Sequence, residues 1–274
     1  MSVPDLSYDA EAPYDVVVTP VAERPGVAIA ECRFDNVEGD PVDAYLVSPV
    51  DTPPRAGVVF QHSTGGRGAF LAEAIRLAEA GGIGLCLPVT FQASGELLPM
   101  IRQSIFAIRR GAAILLRHTE RLGCVGHSAG AMMAAVVSGI DRRFECFVYE
   151  VGMSGLSFHI RDSQHPMWQA RRATTPPDEL DALLAEISPY DAVHFVGEAA
   201  GTPALFQAAR FDIGVTAAEY QTFFDAGSDP KELHWYDSGH EASYDVAAQA
   251  DRARFLAAHL DLPALPGTLA DRVG

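Results

Sequence analysis

Hydrophobic positions along the chain change their rhythm at the turn Asp51-Thr52-Pro53-Pro54. Before it, residues 14–19, 28–34 and 42–48 form three short β-rich segments bounded by Gly, Pro or Asp, the pattern of an antiparallel meander. After it, unbroken apolar runs alternate with helical periodicity. Residues 57–62, 83–89, 122–125 and 144–151 read as buried strands. Between them, 69–80 reads as a helix closed by Gly81-Gly82, and 97–118 as a long amphipathic helix. In the latter, Ile101, Ile105, Ile108, Ala112 and Leu115 share one face. The rhythm breaks over 153–200, where helical periodicity is clear only around 178–187. It resumes with a strand at 203–208, a helix at 217–226, a strand at 233–236 and a last helix at 244–260.

Buried strands alternating with helices predict parallel βαβ units, right-handed crossovers and a sheet covered on both faces. The expectation is therefore an α/β fold with a mostly parallel central sheet and an antiparallel N-terminal meander. One domain should span 1–274, with a small cap-like insert around 153–200 above the strand ends, where open α/β sheets bind ligands. Residues 1–13 should form a surface arm, and the Pro-containing tail after Leu260 should be peripheral.

Composition narrows the function classes. Apolar content of 48% and charged content of 20% are those of an ordinary globular enzyme. A net charge of −16, with Lys231 the single lysine and no basic cluster, argues against nucleic acid as a partner. No run approaches the roughly 18 apolar residues of a membrane span, and Met1-Ser2-Val3-Pro4-Asp5 lacks the basic-then-apolar pattern of a signal peptide. Cys32, Cys86, Cys124 and Cys146 show no C-x-x-C spacing. They are expected to be buried free thiols in a reducing, cytoplasmic compartment.

The stretch Gly126-His127-Ser128-Ala129-Gly130 carries the candidate chemistry. An apolar strand precedes it and a small-residue helical run follows, so Ser128 should sit at the apex of a strand–turn–helix with its Oγ exposed. Glycines at 126 and 130 leave room for close backbone approach there. A serine hydroxyl needs a base within hydrogen-bond reach, and the base needs an orienting acid. Downstream, Asp212 lies a few residues past one predicted strand and His240 lies in the loop past the next. All three would then meet at one edge of the sheet. Glu150, at the end of the strand after the serine, is the competing acid; Asp212 is favoured because it follows the later strand. Among residues with room to line a pocket are His62, His127, His159 and Trp168, although packing explains each of them too. Arg171-Arg172 reads as a solvated pair. No metal spacing such as H-E-x-x-H occurs. Thr64-Gly65-Gly66-Arg67-Gly68 lacks the endings of phosphate and dinucleotide loops, so neither metal nor cofactor is expected.

On Phe60-Gln61-His62-Ser63-Thr64-Gly65-Gly66, G-H-S-A-G, Asp212 and Ser238-Gly239-His240, the chain resembles α/β-hydrolases of the dienelactone-hydrolase-like or prolyl-oligopeptidase-like esterase type, over about 40–260. The order nucleophile, acid, base is the one that resemblance implies. It also implies oxyanion donors at the amides of Ala129 and Thr64. Here the chain departs from the family's usual His-Gly, having His62-Ser63, which makes Ala129 the firmer of the two. Dienelactone hydrolases proper use a cysteine nucleophile, and this chain has Ser128, so the resemblance carries the fold and not that substrate. The implied activity is hydrolysis of a small or medium ester through an acyl-enzyme on Ser128, with a small-molecule acyl substrate as the partner. Thioester, amide or C–C bond hydrolysis, or a non-catalytic binding protein that keeps the fold, are the alternatives.

Overall fold

A computed structural model describes residues 4–38, 41–89 and 96–270. Residues 1–3 of the expected arm and 271–274 of the tail lie outside these. Among the described residues, nine strands form one mixed sheet in the order β1-β2-β3-β5-β4-β6-β7-β8-β9. The meander is β1 (Val17–Arg24), β2 (Val27–Phe34) and β3 (Val42–Pro49), all antiparallel, and β3 pairs antiparallel with β5 (Ile83–Leu87). The remaining strands, β4 (Gly57–Gln61), β6 (Leu122–His127), β7 (Cys146–Glu150), β8 (Ala204–Ala209) and β9 (Lys231–Tyr236), run parallel with one another and with β5. β4, β6, β7 and β8 are buried along their whole length, as strands covered on both faces must be.

Two apolar layers cover the sheet. One packs α2 (Leu97–Leu115), α3 (Ala129–Ile140) and α7 (Ala217–Ala226) against it, through residues such as Ile101, Ile105, Met132, Tyr220 and Phe223. The opposite layer is built from α1 (Leu71–Glu79) and α8 (Val246–Leu260), through Leu77, Phe255 and Leu256. Between β7 and β8 run α4 (Leu156–Asp162), α5 (Pro166–Thr174) and α6 (Pro177–Ile187). The periodicity located α6 and missed α4 and α5: α4 has only 7 residues, too few turns to set a phase, and α5 buries none of its own. No helix among the described residues is long and apolar enough to cross a membrane.

Two expectations need correction. The tail is not peripheral: Leu262 and Leu265 are buried in the layer of α1 and α8, and α9 (Gly267–Ala270) follows them. An isolated Leu among prolines and acids gave no period, but one buried side chain is enough to anchor a turn. The first strand begins at Val17 rather than Tyr14, because Tyr14 serves elsewhere. Its ring lies 3.8 Å beneath the guanidinium of the fully buried Arg110. Arg110 also donates to the Pro13 carbonyl at 2.5 Å, and Arg109 and Arg102 to those of Leu6 and Asp5. The arm is thus fastened to α2 by arginine side chains, with Leu6 buried beneath it. All four cysteines are free and buried in strands, and burial pushes the Cys32 thiol up to about 11.

Candidate active site

β6 ends at His127, α3 starts at Ala129, and Ser128 alone makes the turn between them with φ 56° and ψ −119°. A non-glycine residue in such a region costs of order 1–3 kcal/mol and persists only where its neighbours over-determine it. Here the constraints are visible. The Ser128 amide donates to the Glu150 carbonyl at 2.9 Å, tying the turn to β7. A Cβ at Gly130 would stand 2.0 Å from the Gln61 carbonyl oxygen, and one at Gly126 would stand 2.5 Å from that of Gly130. Only glycines let helix and strand approach this closely.

Beyond β8, Asp212 accepts from the amides of Gly214 at 2.7 Å and Val215 at 3.0 Å on one carboxylate oxygen. Its other oxygen accepts from the Tyr220 hydroxyl at 2.5 Å and faces His240 Nδ1 at 2.7 Å. His240 Nε2 in turn lies 2.9 Å from Ser128 Oγ. The Asp212 carboxylate is fully buried, while the His240 ring is 31% exposed, so a substrate can reach the serine–imidazole end only. Burial works to raise the Asp212 pKa, yet the hydrogen bond and charge of His240 outweigh it and hold the carboxyl below its ordinary range. Burial likewise opposes a charged His240, but Asp212 prevails and raises the imidazole above its usual value. The arrangement can take a proton from Ser128 onto Nε2 and stabilise the resulting imidazolium.

Ala129 opens α3, whose first amides have no intrahelical acceptor. Thr64 is exposed on the loop after β4. That loop is braced by His62, whose Nδ1 accepts from the Gly65 amide at 3.0 Å. His62 stacks on His127 with ring centroids 3.9 Å apart and planes 10° apart. His127 Nε2 faces the His240 carbonyl at 3.0 Å, so it donates there and leaves Nδ1 for the Ser63 hydroxyl, 3.5 Å away. Burial lowers both pKa values, that of His62 to about 4, so this pair is uncharged. With Glu241, these two histidines form a group whose ligand atoms lie within 4.8 Å of one another. Imidazole lone pairs lie in the ring plane, however. Two nearly parallel rings cannot both aim at one ion at about 2.0–2.1 Å. The stack is a packing and hydrogen-bonding device.

His159 and Trp168 are accounted for by packing. His159 Nδ1 is 3.3 Å from the Glu219 carboxylate, and its ring meets Trp168 edge to face. Ser163 donates to the Gly214 carbonyl at 2.7 Å, so the segment between β7 and β8 is fastened to the Asp212 loop. Arg172 donates to the carbonyls of Ile160 and Ser163 at 2.6 and 2.7 Å, and is not a solvated member of a pair. Glu150 does not reach His240 Nδ1. Its carboxylate accepts from Arg252 Nη1 at 2.7 Å and from the Ser243 hydroxyl at 2.9 Å.

Two residues escaped the sequence reading. Tyr220 lay within a correctly placed helix, but nothing in its spacing points to Asp212. Arg252 left a signal: it interrupts the apolar face that Ala248, Phe255 and Leu256 define on α8. A charge on a buried helical face requires a buried partner.

Comparisons with known proteins bear on the fold and the family. The prolyl oligopeptidase family model matches residues 105–262. No curated protein matches the sequence. Among solved structures, an acetyl xylan esterase from a Paenibacillus species is similar at 18% identity and a TM-score of 0.78, covering 91% of this chain and 90% of that one. Acetyl xylan esterase 1 from a Thermoanaerobacterium species gives 15% identity and 0.75, covering 91% and 88%. A cold-adapted esterase from an Arctic intertidal metagenomic library gives 16% and 0.65, covering 88% and 97%. At these identities the likeness speaks to fold. Taken with the family match over more than half its length, it shows that this α/β-hydrolase chain belongs to the prolyl oligopeptidase family.

Proposed function

We propose that the protein is a serine hydrolase that cleaves a small carboxylic ester through an acyl-enzyme on Ser128. The observation that carries the reading is the unbroken line Ser128 Oγ, His240, Asp212, with contacts of 2.9 and 2.7 Å. His240 Nε2 accepts the hydroxyl proton as Oγ attacks the ester carbonyl, and Asp212 steadies the imidazolium. The amides of Ala129 and Thr64 receive the developing oxyanion, each such donor being worth about 3 kcal/mol in the transition state. His240 then gives its proton to the leaving alkoxide. Water, deprotonated by the same imidazole, releases the acid and restores Ser128.

A short acyl group is favoured because two of the similar folds are acetyl xylan esterases. In this reading the chain is one hydrolase domain, and 153–200 forms a cap over the strand ends. The four unpaired thiols fit action in the cytoplasm. Amide hydrolysis is the second reading, favoured by the family's name as an oligopeptidase.

A fluorophosphonate probe should label Ser128 in the wild type and leave Ser128→Ala unlabelled and inactive on a p-nitrophenyl acetate substrate. Folded Ser128→Ala with undiminished turnover overturns the assignment. Paired acetyl esters and acetyl anilides separate the two substrate classes.

A further inference from the structure

Beneath the site lies a buried polar cluster that the mechanism does not use. Glu150 and Arg252 are both fully buried, and their ion pair closes at 2.7 Å. Arg252 also meets Glu73 of α1 at 2.6 and 3.1 Å and donates to Gln207 of β8 at 2.8 Å. Replacing such a pair with apolar side chains is often neutral or stabilising, so stability alone gives it little reason to be there.

Its position relative to His240 is informative. Glu150 is the register partner of His127 across β6 and β7, so these two residues end adjacent strands beside Ser128. Each sends one bond to the loop that carries His240. His127 holds the carbonyl of residue 240 at 3.0 Å, and the Glu150 carboxylate holds the hydroxyl of Ser243 at 2.9 Å. The Ser243 carbonyl is held in addition by Gln249 at 2.7 Å and Arg252 at 3.3 Å. Through its own carbonyl, Glu150 also anchors the Ser128 amide. One residue therefore touches the serine turn with its backbone and the base loop with its side chain.

Resting on the triad reading above, we propose that Glu150 is a positioning residue for His240: clamped by Arg252, its carboxylate fixes Ser243 and the base loop while its charge faces the imidazole from the strand beside the serine turn. The charges around His240 support this electrostatic part. Asp212 faces it after β8, Glu241 is its chain neighbour, and His62 and His127 face it uncharged. Glu150 adds to the field that raises the imidazole pKa. Burial pushes the Glu150 carboxyl up to about 7 against the pull of Arg252, with Glu73 adding to the rise, so its charge bears on His240 over the upper part of the acid limb. Removing the Glu150 charge leaves Arg252 with one carboxylate fewer, so the imidazolium is less favoured and the acid limb must move down in pH.

The test measures kcat, KM and the pH profile of p-nitrophenyl acetate hydrolysis for wild type, Glu150→Gln and Ser243→Ala, with fluorophosphonate labelling in parallel. Glu150→Gln is expected to shift the acid-limb midpoint of kcat/KM down by roughly 0.5 unit and to lower kcat about 10-fold, with KM little changed. Ser243→Ala keeps the charge, so its midpoint should stay in place while kcat falls about 5-fold. Glu150→Gln with an unmoved midpoint overturns the electrostatic part, since a purely structural loss would not move it. Ser243→Ala with wild-type kcat overturns the positioning part. It decides that part alone if Glu150→Gln fails to fold. Absence of labelling in the wild type would instead sink the triad reading itself.

Discussion

Asp212 and Glu150 are two buried carboxylates at the ends of neighbouring parallel strands, Glu150 the last residue of β7 and Asp212 just past β8, yet their surroundings differ in kind. Asp212 is held by two amides, a phenol and an imidazole, none of which carries a permanent charge. Glu150 is held by a guanidinium and a hydroxyl. Burial raises the pKa of both, but in Asp212 the donors win and in Glu150 burial wins. The partner of Asp212 can gain and lose a proton during a reaction, whereas Arg252 cannot lose one at any working pH. Donor type, rather than depth, separates a carboxylate suited to a proton-transfer line from one suited to a fixed frame.

The largest way to break this contrast is Asp212→Asn. It should lower kcat about 10⁴-fold, because the imidazole loses its orienting acceptor, while the melting temperature stays near that of the wild type. Arg252→Met should act chiefly on stability. It strands Glu150 and Glu73 and should cost about 3–5 kcal/mol of stability in urea unfolding. If Asp212→Asn unfolds the protein while Arg252→Met leaves its stability intact, the two carboxylates have been assigned the wrong way round. Tyr220→Phe is a milder probe. Losing one of the donors to Asp212 should reduce kcat/KM about 10-fold, read by steady-state kinetics, with folding unaffected. The smallest effect is in the pH profile. His240 must be neutral to act as a base, and its pKa is raised, so activity should rise with pH through a midpoint above 6.5. A midpoint below that value would mean the field of Asp212 is weaker than its contacts imply.

Much of the contrast was already visible along the chain. Ser128, Asp212 and His240 were legible because each follows a strand, two of them fully buried, and occupies a turn-rich segment, and their order is restricted. Strand position and the loop that follows it favour Asp212 over Glu150, and the Asp212 carboxylate is the one that lies beside His240 Nδ1. Their environments were not legible. Arg252 reaches Glu150 across 102 residues and Glu73 across 179, and separations that large leave no periodicity. The boundaries of α5 were hidden for a different reason. α5 buries none of its residues, so it has no apolar stripe to read.

The bonds from Ser163 to Gly214 and from His159 to Glu219 bear on how such an enzyme can be altered. Helices inserted between two strands are usually regarded as exchangeable parts that can be grafted to change what a scaffold accepts. Here the inserted segment grips the loop that carries Asp212 through Ser163 and the helix α7 beyond it through His159. A graft that replaces that segment therefore also releases the acid from one side. Variants selected for a new substrate should carry paired changes, one in 156–174 and one in 213–219, because neither segment inherits a working geometry without the other.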